Sequence, residues 1–236
     1  MSSVSSFDDL DSLRLDLSRR FQLQDESIDI QGHRLSIASV KDVDQVLDSY
    51  LSQDEQEEAI QDEQIPYWAE VWPSAIALGT YLLSKEYLTP ESQVLEIGCG
   101  LGVPGIVAGK IAKKVVLTDY LSDPLLFAKY NWNRNHLVEA DCRLMDWRAP
   151  SSSLASDIVL ASDVAYEPRA FDPLLASIPV LLKPHGRLIL SEPRRPIAQP
   201  FRSMLGQLDY QIHTAEIPVK YGQISATIHI FELIHS

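Results

Sequence analysis

Between Val94 and Gly102 the chain reads Val-Leu-Glu-Ile-Gly-Cys-Gly-Leu-Gly, an apolar run ending in three alternating glycines. Glycine takes positive φ at little cost and lets a ligand approach the backbone where a Cβ would stand. In an open α/β sheet such a strand-to-helix turn lies at the carboxyl edge of the strands, where ligands bind. Asp119 follows Glu96 by 23 residues, close to the separation at which an acid after the second strand grips the hydroxyls of a ribose. A dinucleotide pyrophosphate needs Gly-x-Gly-x-x-Gly and a free helix N-terminus. Here the third glycine comes one residue early, and Glu96 stands two positions before the first, where its charge repels phosphate. Glu96 suits instead a ligand with a cationic or amine-bearing end, whose hydrogen bonds it would accept. A ribose, no phosphate and a positive amino-acid end describe S-adenosylmethionine, with Glu96, Gly98, Gly100, Gly102 and Asp119 as its expected contacts.

Further on, Asp146-Trp147 sets an acid beside an aromatic plane, a pair that packs an adenine ring and accepts its exocyclic amine. These residues meet only if the segments between them build a parallel sheet. Short apolar strands are expected at 93–97, 114–118, 142–145, 157–161 and 187–191, and helices at 73–83, about 104–112, 123–135 and 173–182. Alternation of strand and helix calls for a parallel sheet covered on both faces. The segments 210–217 and 225–234 alternate like a terminal antiparallel pair. Before them all, Leu23, Ile28, Ile30, Leu35 and Ile37 flank Gln31-Gly32 as two strands of a tight hairpin. Val43, Val46, Leu47, Tyr50 and Leu51 then mark one side of an acid-rich helix. The reading is a Rossmann-like α/β sandwich with an N-terminal β-hairpin and helix extension: residues 1–65 the acidic extension, 66–236 the ligand-binding domain.

Composition narrows the class. A chain of 236 residues suits one core with an appendage. Cys99 and Cys142 are too few for a disulfide framework, and none of the six histidines stands at metal-ligand spacing, so no metal is expected. Cys99, between two glycines, reads as a small residue in a tight turn. Residues 1–63 hold 16 acidic side chains against 5 basic ones, 11 of the 13 net negative charges. That balance repels a nucleic-acid backbone and suits a basic partner or a solvated face. No apolar run reaches the roughly 18 residues that cross a bilayer, and the polar, acidic start is unlike a secretory leader. A cytoplasmic monomer is the expectation.

Several motifs resemble those of the class I, seven-strand S-adenosylmethionine-dependent methyltransferases. Within them the chain is similar to the protein-lysine methyltransferase group that includes the enzymes acting on chaperones and on the electron-transfer flavoprotein β-subunit. Pro66-Tyr67-Trp68-Ala69-Glu70-Val71-Trp72-Pro73 resembles that group's tryptophan-bearing entry segment. Glu96 to Gly102 matches its first motif, Asp119 the ribose acid, and Asp146-Trp147 the adenine-side pair. Ser162-Asp163-Val164-Ala165-Tyr166 matches the Asp-x-x-Tyr signature after the fourth strand, and Ser191-Glu192-Pro193-Arg194-Arg195-Pro196 resembles the proline-arginine segment of the flavoprotein-directed members. By that resemblance Trp72, Gly98, Gly100, Asp119, Trp147 and Ser162 contact the cofactor, while Asp163 and Tyr166 face the acceptor nitrogen as the catalytic pair. The partner so implied is a protein bearing the target lysine.

A lysine amine, with a reference pKa of about 10.4, must shed its proton before it attacks. A carboxylate beside it raises that pKa, so Asp163 reads as an orienting acceptor rather than a strong base. Enzymes that methylate amide or adenine amino groups commonly carry Asn/Asp-Pro-Pro-aromatic at this place; here Asp163-Val164-Ala165-Tyr166 has no proline, which speaks against those substrates. Two other readings stay open: a small-molecule N-methyltransferase on the same scaffold, and a cofactor-binding module without catalysis.

Overall fold

The computed structural model describes residues 10–51 and 66–235. Residues 1–9, 52–65 and 236 lie outside the described residues, and so do the side chains of Ser49, Tyr50 and Leu51. The N-terminal elements are α1 (Leu10–Arg20), β1 (Leu23–Ile30), β2 (His33–Val40) and α2 (Val43–Leu51). β1 and β2 pair antiparallel across Gln31-Gly32, at φ 52° and 82°. A two-residue turn whose twist matches the strands needs positive φ at both central positions.

After the undescribed stretch come α3 (Pro73–Leu83), β3 (Gln93–Ile97), α4 (Val103–Ala108), β4 (Lys114–Asp119) and α5 (Ser122–Asn135). They are followed by β5 (Asp141–Leu144), β6 (Ser156–Ser162), α6 (Pro168–Leu181) and β7 (Leu182–Glu192). The chain closes with α7 (Gln199–Leu205), β8 (Gln211–Tyr221) and β9 (Ile224–Ile234). Two of the expected helices differ in extent. α4 stops at Ala108 because Gly109, a poor helix former, leaves room for the Trp132 ring, which a Cβ there would meet at 2.6 Å. α6 starts at Pro168, not Pro173; Pro168 takes the first turn, and Pro173 and Pro179 are carried inside the helix.

The seven strands lie in the order β5-β4-β3-β6-β7-β9-β8. The first five run parallel, and β9 and β8 are antiparallel. This is the Rossmann-like architecture expected from the sequence. The chain winds outward from β3 to β5, then crosses back to β6 on the other side of β3. The crevice this reversal opens at the carboxyl ends of β3 and β6 is where such sheets bind ligands. Strand side chains alternate between two cores: Val94, Ile158 and Ile189 face α3, α4 and α5, while Leu95, Val159 and Leu190 face α6 and α7. No helix among the described residues is long and apolar enough to cross a membrane.

The hairpin shares the first of these cores. Leu17, Phe21, Ile30, Leu35 and Ile37 pack in one cluster with Leu117 and Phe127. Its free edge is closed by α5. The Asn131 amide accepts from Ala38 N at 2.7 Å and donates to Ala38 O at 3.0 Å, and Asn135 does the same for Ser36 at 2.9 Å each. Two residues along a strand advance about 6.8 Å and four along a helix about 6 Å. Two asparagines four apart therefore stand in for a missing strand. Asn131 is wholly buried and also donates to Leu101 O at 3.1 Å, tying the hairpin to the glycine-rich turn. Asn131→Ala is expected to destabilise the fold by about 2–4 kcal/mol, because buried peptide groups lose their partners. A urea unfolding free energy lowered by less than about 0.5 kcal/mol would show that the hairpin edge finds other partners.

Candidate active site

At the carboxyl edge of β3 the chain passes through Gly98, Gly100 and Gly102 at φ 58°, 51° and 79°. All three conformations are left-handed, where a Cβ is strained. The turn is locked by Cys99 N donating to Thr118 O at 2.9 Å and by Gly102 N donating to Cys99 O at 2.8 Å. At Gly98 a Cβ would stand 3.1 Å from both the Trp147 ring and Val164, and at Gly100 it would stand 3.5 Å from Trp68. The backbone thus floors a cavity of about 470 Å³, whose walls include Trp72, Asp119, Tyr120, Trp147, Ser162, Asp163 and Tyr166.

Asp119 ends β4 with its carboxylate between two backbone donors, Gly100 N at 3.1 Å and Leu121 N at 3.2 Å. Burial pushes this carboxyl up to about 6, against the lowering effect of those donors. Ser162 ends β6, and its hydroxyl oxygen accepts from Ser191 Oγ at 3.2 Å. Asp163 follows at φ 56°, a turn that swings its carboxylate into the cavity. There it pairs with Arg195 and accepts from Ser74 Oγ at 3.3 Å. Burial pushes the Asp163 carboxyl up although Arg195 and Ser74 draw it down. At the mouth, the Tyr67 ring lies 5.0 Å from the Tyr166 ring and 6.4 Å from the Trp72 ring. Trp72 is fixed by its Nε1 donating to Tyr67 O at 2.6 Å. Burial raises the Tyr166 phenol above its ordinary range, so it stays protonated.

A model of the lysine methyltransferase family matches residues 52–207. The chain belongs to that family. Similar proteins include the mouse histone-arginine methyltransferase METTL23, 32% identical over 52% of this chain and 51% of the relative. The zebrafish electron transfer flavoprotein beta subunit lysine methyltransferase is 29% identical over 55% and 51%. The mouse protein-lysine methyltransferase METTL21E is 34% identical over 50% and 52%. The chain spans about half the length of the relatives it matches. Among solved structures, the N-methyltransferase NodS from Bradyrhizobium japonicum, in complex with S-adenosyl-L-homocysteine, shares the fold at a TM-score of 0.55 and 15% identity, over 81% of this chain and 97% of that one.

The cofactor of a methyltransferase, S-adenosylmethionine, fits the residues present. The left-handed glycine cradle disfavours side chains, the Asp119 carboxylate lines the same cavity, and Trp147 offers an apolar plane beside Gly98. Within this family member Trp72, Gly98, Gly100, Asp119, Trp147 and Ser162 line one cavity, as do Asp163 and Tyr166. Three of the expected ligand contacts do not line this cavity. Glu96 does not reach the cavity, because position 96 falls on the face of β3 that packs against α4. It is wholly buried, and its Oε2 accepts from Gly105 N at 2.8 Å, so it holds the start of α4. Gly102 faces Ala128 of α5 and serves the chain turn. Asp146 accepts from Arg148 N at 2.8 Å and Arg148 Nε at 2.7 Å, and it borders a smaller adjoining cavity with Tyr120, Trp147 and Tyr166. Arg195, Tyr120 and Ser74 were not foreseen as site residues. Only Arg195 carried a signal, in the proline-arginine segment.

Glu96 has a measurable consequence. Burial pushes its carboxyl from 4.5 up to about 8, so the native state holds this proton more tightly than the unfolded chain. Stability is then greatest below the ordinary carboxyl value, falls as pH rises towards about 8 and is flat above it. Asp119 steepens the lower part of the fall. Glu96→Gln keeps an acceptor for Gly105 N and removes the charge. Its urea midpoint is expected to lose most of the decline between about pH 6 and pH 8. An unchanged decline would place the titration on another group.

Proposed function

We propose that this chain transfers a methyl group from S-adenosylmethionine to the side-chain amine of a protein lysine. The observation that carries this reading is the Asp163 carboxylate, paired with Arg195 and reached past an aromatic mouth of Tyr67, Trp72 and Tyr166. The bound cofactor supplies an electrophilic sulfonium methyl group. Asp119 accepts from the ribose hydroxyls, and the backbone of Gly98 and Gly100 admits the ligand closely. The rings of Tyr67 and Trp72 pack a long aliphatic stem and exclude water. Asp163 accepts a hydrogen bond from the amine and so fixes the direction of its lone pair. Alignment of this kind contributes on the order of 7–11 kcal/mol to such a displacement. The family match and the named lysine methyltransferase relatives support the same acceptor. The histone-arginine methyltransferase relatives favour a second reading, a guanidinium acceptor.

Incubation of a source-organism lysate with the protein and labelled cofactor tests both readings. A discrete labelled protein band whose hydrolysate yields methyl-lysine is expected. Methyl-arginine would give the second reading, label confined to small molecules a small-molecule enzyme, and binding without transfer a non-catalytic module. The acidic stretch bears on the partner. If it draws in a basic segment, neutralising Asp54, Glu55, Glu57 and Glu58 together raises KM and flattens its salt dependence, since the Debye length falls from about 10 Å at 0.1 M to about 3 Å at 1 M. Turnover at saturation stays unchanged. Wild-type kinetics at both salt concentrations would leave these charges a solvated surface.

A further inference from the structure

We infer that Arg195 is a positioning residue for the acceptor side of this site: it neutralises the Asp163 carboxylate, so that an arriving amine meets an ion pair rather than a lone anion. This deepens the methyltransferase reading and rests on it.

The arginine is delivered by a dedicated scaffold. Arg194 turns the chain at φ 60° after β7. Arg195 N then donates to Glu192 Oε1 at 2.7 Å, and Arg195 O accepts from Arg202 Nη1 at 3.1 Å. The same Arg202 Nη1 lies 2.7 Å from Glu192 Oε2, and Glu192 is 1% exposed. A buried Glu–Arg pair thus holds both peptide groups of Arg195. From there its guanidinium reaches Asp163 and lies 5.5 Å from the centre of the Trp72 ring. Loops usually leave a long cationic side chain to solvent; this one is aimed into the cavity from a fixed base.

The surroundings isolate the pair. α3 contributes only the neutral Ser74 hydroxyl to Asp163. The end of β7 adds Glu192, whose charge Arg202 already meets. The other acids lining the cavity are Glu70, at the mouth, and Asp119, held by backbone donors; the phenols of Tyr67, Tyr120 and Tyr166 complete the titratable walls with the Cys99 thiol, which burial pushes up. Among the described residues of that lining, Arg195 is the sole cation. An amine beside a lone buried carboxylate is held as ammonium, which has no lone pair to donate; a guanidinium at the same carboxylate opposes that effect. Arg195 lets Asp163 orient the amine without trapping it in the charged form.

Two cofactor analogues read this electrostatic balance without knowledge of the natural substrate. S-adenosylhomocysteine lacks the transferable group, and sinefungin carries an amine in its place. Their affinities would be compared by calorimetry for the unsubstituted protein, Arg195→Met, Arg195→Lys, and Arg195→Met combined with Asp163→Asn. For Arg195→Met, sinefungin is expected to tighten about tenfold or more relative to S-adenosylhomocysteine near neutral pH. The gain should shrink on acidification as Asp163 takes up a proton. Arg195→Lys restores most of the original ratio, and the double variant abolishes the gain. An unaltered ratio, whether both affinities fall together or neither moves, would make the pair merely structural and overturn the inference. Failure of S-adenosylhomocysteine to bind the unsubstituted protein at all would instead sink the cofactor reading, and this inference with it.

Discussion

An Asp119→Ala variant is expected to bind S-adenosylhomocysteine at least about a hundredfold more weakly, because two charge-assisted hydrogen bonds, each worth roughly 1.5–3 kcal/mol, are lost. The carboxylate also holds Gly100 N and Leu121 N, so removal disturbs the glycine-rich turn as well. Asp119→Asn separates the two effects. It keeps one acceptor oxygen, enough for Gly100 N or Leu121 N but not both, so it disturbs the turn less than alanine does and is expected to melt closer to the unsubstituted protein while still binding weakly. Calorimetry alongside thermal melts distinguishes lost contact from lost structure. Wild-type affinity in both variants would mean that the ribose lies elsewhere.

The second large effect belongs to Asp163. Asp163→Asn is expected to lower methyl transfer at least about a hundredfold, the usual consequence of a misoriented acceptor, while S-adenosylhomocysteine affinity changes little. Asparagine is the informative substitution, because residue 163 sits at φ 56° and asparagine tolerates that region far better than alanine. Alanine would add backbone strain to the loss of the carboxylate. Removal of the charge also ends the ion pair with Arg195 and leaves one acceptor oxygen for Arg195 and Ser74, which a melt at neutral pH would register. Parallel loss of binding and turnover would place Asp163 among the cofactor contacts.

Much of this site is local and therefore legible in the sequence. Gly98, Gly100 and Gly102 occupy left-handed conformations that other residues adopt only under strain. Their spacing after an apolar strand thus announces the turn whatever surrounds it. The Asp119 position follows from the length of one helix and one strand. The hairpin turn at Gln31-Gly32 is equally local. Tertiary structure decided the rest, because it depended on which face a side chain met and on partners distant along the chain. Glu96 looked like a ligand contact because it stands beside the glycines; the two-residue period of β3 turns it into the core, onto Gly105 N. Asn131 and Asn135 gave no signal, since their partners Ala38 and Ser36 are nearly a hundred residues away. Asp163 and Arg195 meet only because β6 and β7 lie side by side, in a register that sets Ser162 against Ser191. Periodicity and backbone sterics act within a few residues, and so fold class and cofactor chemistry could be inferred from the chain alone; the electrostatics of the acceptor side arose from strand order and register, which exist only once the sheet has formed.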